Sequence, residues 1–153
     1  MARLQDLIKL QNLFVDTVKS ICKKDYNSEQ INAWISGVEN SERWSNILQK
    51  QYTIVAEIDD ILLGFASLAS HNYVDLLYVN SEFQNLGIAK ALFNDILRQA
   101  IIHKQNVLHS DVSITALPFF QKFGFEIISE QKNYRKGIEL INYKMQKKIS
   151  NLD

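Results

Sequence analysis

The sequence is poor in residues that cross-link or break a chain. Its 153 residues include one cysteine, Cys22, and one proline, Pro118. A single cysteine excludes an internal disulfide, and with it the cross-linked scaffold of small secreted proteins. A cytoplasmic location is therefore expected. Cys22 lies on the apolar side of a helical pattern, and nothing near it marks a reactive thiol. Glycine is also scarce, at five residues, and no Pro/Gly/Ser-rich linker or internal repeat divides the chain. Residues 1–153 read as one domain. An excess of charge of either sign is missing too. Lys and Arg number 17, as do Asp and Glu, giving a formal net charge of zero. Broad electrostatic binding of nucleic acid gains no support, and no nucleic-acid partner is expected. No stretch reaches the ~18 apolar residues of a membrane span. The opening MARLQDLIKLQN scatters charges among its apolar residues and lacks the apolar core of a signal peptide. No membrane partner is expected.

What is present is an ordinary globular composition, 46% apolar and 22% charged. Leu4, Leu7, Ile8, Phe14, Val15, Val18 and Cys22 recur at helical spacing. Ser28 with Glu29 opens a second helix that ends near Gly37, and Ser41 caps a third through Trp44, Ile47 and Leu48. The pattern then changes to strands at residues 52–58 and 61–69, joined by Asp59-Asp60, and at residues 73–79 after His71-Asn72. Short turns between them predict an antiparallel meander. Helical spacing returns over residues 87–104, where Ala89, Leu92, Phe93, Ile96 and Ala100 share a stripe. A short strand at residues 107–109 completes a β-α-β crossover, which requires parallel pairing. A helix at residues 116–122 closes at Gly124, and residues 125–128 and 139–145 form a last strand pair. The predicted class is α+β (mixed α/β): a central, mixed, mostly antiparallel sheet flanked by helices.

The segment VDLLYVNSEFQNLGIAKALFNDIL, residues 74–97, carries the chemical signal. A strand ends at Val79, and a polar link leads to Gln84-Asn85-Leu86-Gly87-Ile88-Ala89, which enters a helix directly. A loop opening a helix presents unpaired N–H groups at the positive end of the helix dipole. That arrangement suits a phosphate or pyrophosphate. Gly87 permits an unusual backbone angle and close approach of a ligand. The loop has no cation of its own, and Lys90 is the nearest. Neither the GxxxxGK[ST] nor the GxGxxG spacing is present. A plain strand-to-helix turn also accounts for one glycine in this place.

QNLGIA resembles the Q/R-x-x-G-x-G/A motif of the GNAT superfamily of N-acetyltransferases. LLYVNSEFQ resembles the strand and loop before that motif. SITALPFFQKFGFE resembles the family's late helix, with its Asn/Ser-x-x-Ala-x-x-Phe-Tyr/Phe-x-x-x-Gly-Phe pattern. Both motifs occur in the expected order. The resemblance is strong from about Ile54 to Phe125 and looser at the ends, and the tail looks like the closing strands of small bacterial members. It implies an acetyl-CoA-dependent acyltransferase without a metal. The pyrophosphate loop would be Gln84, Asn85, Leu86, Gly87, Ile88, Ala89 and Lys90. Leu77, Tyr78 and Val79 would pair with the pantetheine arm like an added strand, and Ser113 would bond it. Phe119, Phe120 and Phe123 would line the sulfur end. One departure matters: where many members have a tyrosine that protonates the leaving thiolate, this chain has Phe120. Tyr134 would serve only if the tail folds back over the cleft.

An alkylamine near pKa ~10.4 is mostly charged at pH 7 and must lose a proton before it attacks. Asp75 stands where the family often has an acidic residue and is the first candidate base. Strand alternation puts it on one face with Leu77 and Val79. His109, expected where the cleft opens, and His71, in the preceding turn, are further candidates. His103 reads as a helix-end residue. Trp34 and Trp44 belong to helices that cover the acceptor site in this fold. The expected partners are acetyl-CoA and a primary amine, on a small molecule or a protein, with direct transfer in a ternary complex. A homodimer through an exposed strand edge is open. The alternatives are a non-catalytic acyl-CoA binding or sensing domain, and an interaction module that binds no coenzyme A.

Overall fold

The computed structural model describes residues 1–150. Three helices, α1 (Leu7–Ile21), α2 (Ser28–Ile35) and α3 (Ser41–Lys50), precede the antiparallel strands β1 (Tyr52–Ile58), β2 (Ile61–Ala69) and β3 (Tyr73–Val79). Helix α4 (Ile88–Ile102) crosses to β4 (Val107–Ser113), and α5 (Leu117–Lys122) leads to the hairpin of β5 (Glu126–Arg135) and β6 (Ile138–Lys148). The six strands lie in the order β1-β2-β3-β4-β6-β5. Every neighbouring pair is antiparallel except β3–β4.

Local chemistry sets the helix starts. The Asn27 side chain accepts from the Gln30 N–H at 2.8 Å, and the Gln30 side chain accepts from the Asn27 N–H at 2.9 Å. This reciprocal box satisfies two orphan donors at the start of α2. Helix α3 is capped by Asn40 rather than Ser41, its Oδ1 accepting from the Arg43 N–H at 3.1 Å.

Each face of the sheet has its own core. Leu92, Phe93, Ile96 and Ala100 of α4 pack with Ala66, Leu68, Val74, Leu108 and Met145. On the other face Leu10, Phe14 and Val18 of α1 and Trp44 and Ile47 of α3 pack with Phe65 and Leu76. Covered on both sides, β2 is buried continuously from Leu63 to Leu68.

Three strands run longer than the apolar pattern indicates. β4 continues past His109 to Ser113, and the closing hairpin pairs from Glu126↔Gln146 to Arg135↔Ile138. The added residues are mostly polar, because β5 is largely exposed. Apolar alternation marks only covered faces, whereas pairing continues wherever backbones meet. Lys136 and Gly137, at φ 50° and 78°, make the tight turn.

The feature that forms the site is a fork. β3 and β4 share a single registered pair, Tyr73↔His109. Its closed end is fixed by the His109 N–H donating to Asn72 O and the Ser110 hydroxyl donating to Val74 O, both at 2.8 Å. Beyond these bonds the strands diverge.

Candidate active site

A cleft of 1220 Å³ occupies the fork. Sites for one drug-sized ligand measure ~300–1,000 Å³, so this one has room for more than one small molecule. Leu77, Tyr78 and Val79 form one wall, and Gln84, Asn85, Gly87, Ile88, Ala89 and Lys90 form its rim. Ser113, the α5 residues Phe119 and Phe120, and Phe123 just after α5 line the opposite side. Leu86 points outward and is 68% exposed.

The rim is an open helix start. Gly87 is the N-cap of α4 at φ 81°, and no side chain caps the helix. The first α-helical bond is donated by the Ala91 N–H to Gly87 O, which leaves the N–H groups of Ile88, Ala89 and Lys90 without partners inside the helix. A Cβ built on Gly87 meets no atom within 4 Å. Asn85, at φ 62°, is left-handed as well. Gln84 braces this loop: its amide donates to Val79 O at 2.8 Å and to Asn80 O at 3.2 Å.

The β3 edge is also free. The Asn80 N–H donates to Leu63 O of β2. Alternation along an antiparallel ladder then turns Tyr78 toward β2, and the N–H and C=O of Leu77 and the N–H of Val79 toward the fork. Val79 O is occupied by the Thr17 hydroxyl at 3.0 Å and by Gln84.

Asp75 departs from the alternation expected for it. The β2–β3 register runs Leu68↔Val74 and Ser67↔Leu76, so Asp75 is the unpaired residue of a bulge. A bulge re-aims a side chain. Asp75 accordingly meets the α3 end of the cleft and does not share the face of Leu77. Arg43 grips it with Nη2 to Oδ1 at 2.9 Å and Nη1 to Oδ2 at 3.3 Å, and the Gln51 amide donates to Oδ2 at 2.7 Å. Its side chain is only 8% exposed. Neither Arg43 nor Gln51 was legible as part of the site. Each lies far from Asp75 in sequence, and only the packing of α3 brings them together.

The other candidates separate. Tyr134 lines the cleft, because the β5–β6 tip leans over it, and its hydroxyl donates to Glu139 Oε2 at 3.1 Å. His109 falls at the closed end of the fork and is not among the lining residues. The reason is the length of β4, which opens the fork toward Ser113 instead. His71 stacks on His103 with ring centroids 3.8 Å apart, away from the cleft. Ser113 lies where expected, and its Oγ accepts from the Ala116 N–H at 3.1 Å. Both tryptophans line the cleft, Trp44 from within the core and Trp34 half-buried.

Burial governs the tyrosines here. It pushes the Tyr78 hydroxyl well up, reinforced by Cys22 and Asp75 and opposed by a hydrogen bond with Trp34 and by Arg135. Tyr73 is pushed up by burial and by its 2.6 Å bond to Asp111 Oδ2. For Arg43, burial favours the neutral form, but the bonds and charge of Asp75 outweigh it, and the pKa is raised. Burial raises the Cys22 thiol against a hydrogen bond with Thr115, which disfavours the thiolate.

Residues 22–147 match the family model of the acetyltransferase (GNAT) domain. The chain belongs to the GNAT acetyltransferase family. It is 32% identical over 143 residues to an uncharacterised N-acetyltransferase, YafP, of Escherichia coli, covering 94% of this chain and 90% of that one. A GCN5-related N-acetyltransferase of Rhodopseudomonas palustris superposes with a TM-score of 0.92 at 26% identity, covering 97% of this chain and 92% of that one. The PaiA N-acetyltransferase of Thermoplasma acidophilum, in complex with coenzyme A, gives a TM-score of 0.77 at 19% identity, with 97% and 96% covered. Members of the GNAT family are acetyl-CoA-dependent acyltransferases. The residues of this GNAT domain fit such a donor: an uncapped helix start with open space before Gly87, beside a strand edge with free N–H groups.

Proposed function

We propose that this protein is an N-acetyltransferase that moves an acetyl group from acetyl-CoA directly to a primary amine, with both substrates in the fork. The observation that carries the reading is the juxtaposition of the uncapped α4 start with the free edge of β3. The N–H groups from Gly87 to Lys90 hold the pyrophosphate, with Gln84 bracing the loop beneath them. The dipole contributes only ~0.3–1 kcal/mol at an exposed site, so direct N–H bonds supply most of the hold. Leu77 and Val79 offer main-chain groups to the pantetheine arm, and Ser113 keeps its O–H to donate to it. Phe119, Phe120 and Phe123 shield the sulfur end. Acetyl-CoA supplies the activated acetyl group.

Asp75 is the base in this reading. A carboxylate accepts at about four lone-pair sites, and Arg43 and Gln51 occupy three. The remaining site on Oδ1 takes the amine proton, directly or through one water. The N–H of Leu77 or Val79 donates to the carbonyl oxygen as charge builds on it. Tyr134 gives the proton to the leaving sulfur. It lies on the β5 face opposite Arg135, as strand alternation requires, and at the cleft mouth. His109 takes no part.

A panel of primary amines with acetyl-CoA, followed by thiol release and the mass of the product, tests the reading. Turnover with acetylated amine supports it. Donor binding without turnover across the panel favours a non-catalytic acyl-CoA sensor, the reading that Phe120 favours. A homodimer would use the free edge of β5, where Ile127 and Ile128 are 43% and 49% exposed. Sedimentation equilibrium would show a single-chain mass if that part fails.

A further inference from the structure

The acceptor end of the cleft contains an arginine that the proposed reaction does not use. Arg135 ends β5, and the hairpin tip carries it toward the turn between α2 and α3. Three contacts dock that tip. Lys136 Nζ lies 3.5 Å from Glu39 Oε2, Gln30 Nε2 donates to Glu139 O at 3.0 Å, and Arg135 itself packs against Gly37. A Cβ at residue 37 would stand 3.0 Å from Arg135 Nη1. The absence of a side chain there is what gives the guanidinium its place. Arg135 lines the cleft and is close enough to bias the Tyr78 hydroxyl.

Arg43, the other arginine in the cleft, is committed to Asp75. Among the described residues, the Arg135 guanidinium has no ion pair and donates no hydrogen bond. Lys24 lines the cleft as well. Lys90 and Lys122 line it too, so against Asp75 and Asp111 stand five cations, and the cleft lining carries three net positive charges before either substrate enters. That field disfavours a polycation and favours an amine that brings its own negative charge. A planar guanidinium matches a carboxylate with two parallel N–H bonds.

We infer that the acceptor amine carries a carboxylate and that Arg135 binds it. The inference rests on the amine-acceptor reading above and narrows it to amino acids or to peptides with an acidic side chain near the reacting amine. Arg135 is a specificity residue that fixes the acceptor so that its amine reaches Asp75. Polyamines are poor substrates on this account.

Matched acceptors test it at saturating acetyl-CoA. 4-Aminobutyrate is compared with butylamine, and a C-terminally amidated Ala-Asp-Ala peptide with amidated Ala-Asn-Ala. The carboxylate member of at least one pair is expected to lead in kcat/KM by on the order of 10–100-fold, the range of a charge-assisted bond. A lead in the first pair identifies a free amino acid, and in the second a peptide. Arg135→Gln should bring the ratio close to one by raising KM for the carboxylate member. Gly37→Ala, which crowds the guanidinium, should do so partially. The acetyl-CoA-induced rise in Tm is measured on every variant. An unchanged ratio in Arg135→Gln overturns the inference, as does a preference for the uncharged members. Turnover of none of these acceptors, in protein that acetyl-CoA still stabilises and that acetylates another amine, also overturns it and leaves the proposed transferase intact. Loss of that stabilisation in the unmodified protein defeats the transferase reading itself.

Discussion

In the proposed reaction Asp75 and Tyr134 divide the proton traffic, and their surroundings separate chemistry from stability. Asp75 is nearly enclosed, with its charge shared by Arg43 and Gln51. Asp75→Asn keeps the shape but removes the base and leaves Arg43 unpaired. Steady-state kinetics should show kcat lower by ~100-fold or more, with KM for acetyl-CoA unchanged. Urea unfolding should show a loss of ~1–3 kcal/mol for the broken charged bonds. Activity retained within a few-fold would remove Asp75 from the mechanism. Tyr134 is 66% exposed, and among the described residues its hydroxyl bonds only to Glu139. Tyr134→Phe should therefore leave Tm in place while kcat drops ~10–100-fold, the scale of a lost general acid. If kcat is unaffected, the thiolate departs without help, which a thiol of pKa ~8.5 permits.

At the scale of elements, what a sequence reveals depends on which contacts decide the outcome. Strands β1, β2 and β3 were readable because β-branched residues and the Asp59-Asp60 turn specify them locally, and α4 because Leu92, Phe93 and Ile96 repeat at its period. The bulge at Asp75 was not, since it arises where β2 and β3 pair out of step. The outer lengths of β4, β5 and β6 were hidden for a related reason: their added residues are mostly polar. The cradle at Gly87 was legible as a motif, whereas the clamp of Arg43 and Gln51 depends on the docking of α3. Gly64 shows how tightly β2 meets its neighbours. A Cβ there would lie 2.9 Å from Tyr78 O and 3.1 Å from Leu92 Cδ1. Gly64→Ala should push β3 and α4 apart and cost ~1–3 kcal/mol, as overpacking does. Thermal unfolding would measure it, together with weaker acetyl-CoA binding, because α4 and β3 both bound the cleft. A fully stable variant would mean that the fork has slack in this place.

The whole molecule is a sheet clamped between two apolar cores, with buried Tyr26 and half-buried Tyr73 and Tyr78 around the fork. This gives a pH dependence of definite sign. Burial pushes Tyr26 up to about 12, against the hydrogen bond it receives from Ile114, and Tyr73 and Tyr78 are raised as well. A tyrosine whose folded pKa is raised contributes its full stability below the unfolded value, near ~10, and loses it as pH rises through the folded one. Unfolding free energy should thus decline from about pH 10 toward pH 12, and Tyr26→Phe should flatten part of that decline. Urea titrations across this window would detect it, and a flat profile would contradict the burial of these hydroxyls. The central claim, however, is that the fork between β3 and β4 binds acetyl-CoA on the N-terminus of α4. The most direct measurement is Tm with and without acetyl-CoA, for the protein beside Gly87→Trp. Ligand at ~100 times its dissociation constant adds ~2.7 kcal/mol, which in a domain of this size raises Tm by several degrees. The account predicts that rise in the protein and its loss in the variant. No rise at millimolar acetyl-CoA in folded protein, or an equal rise in both, would contradict it.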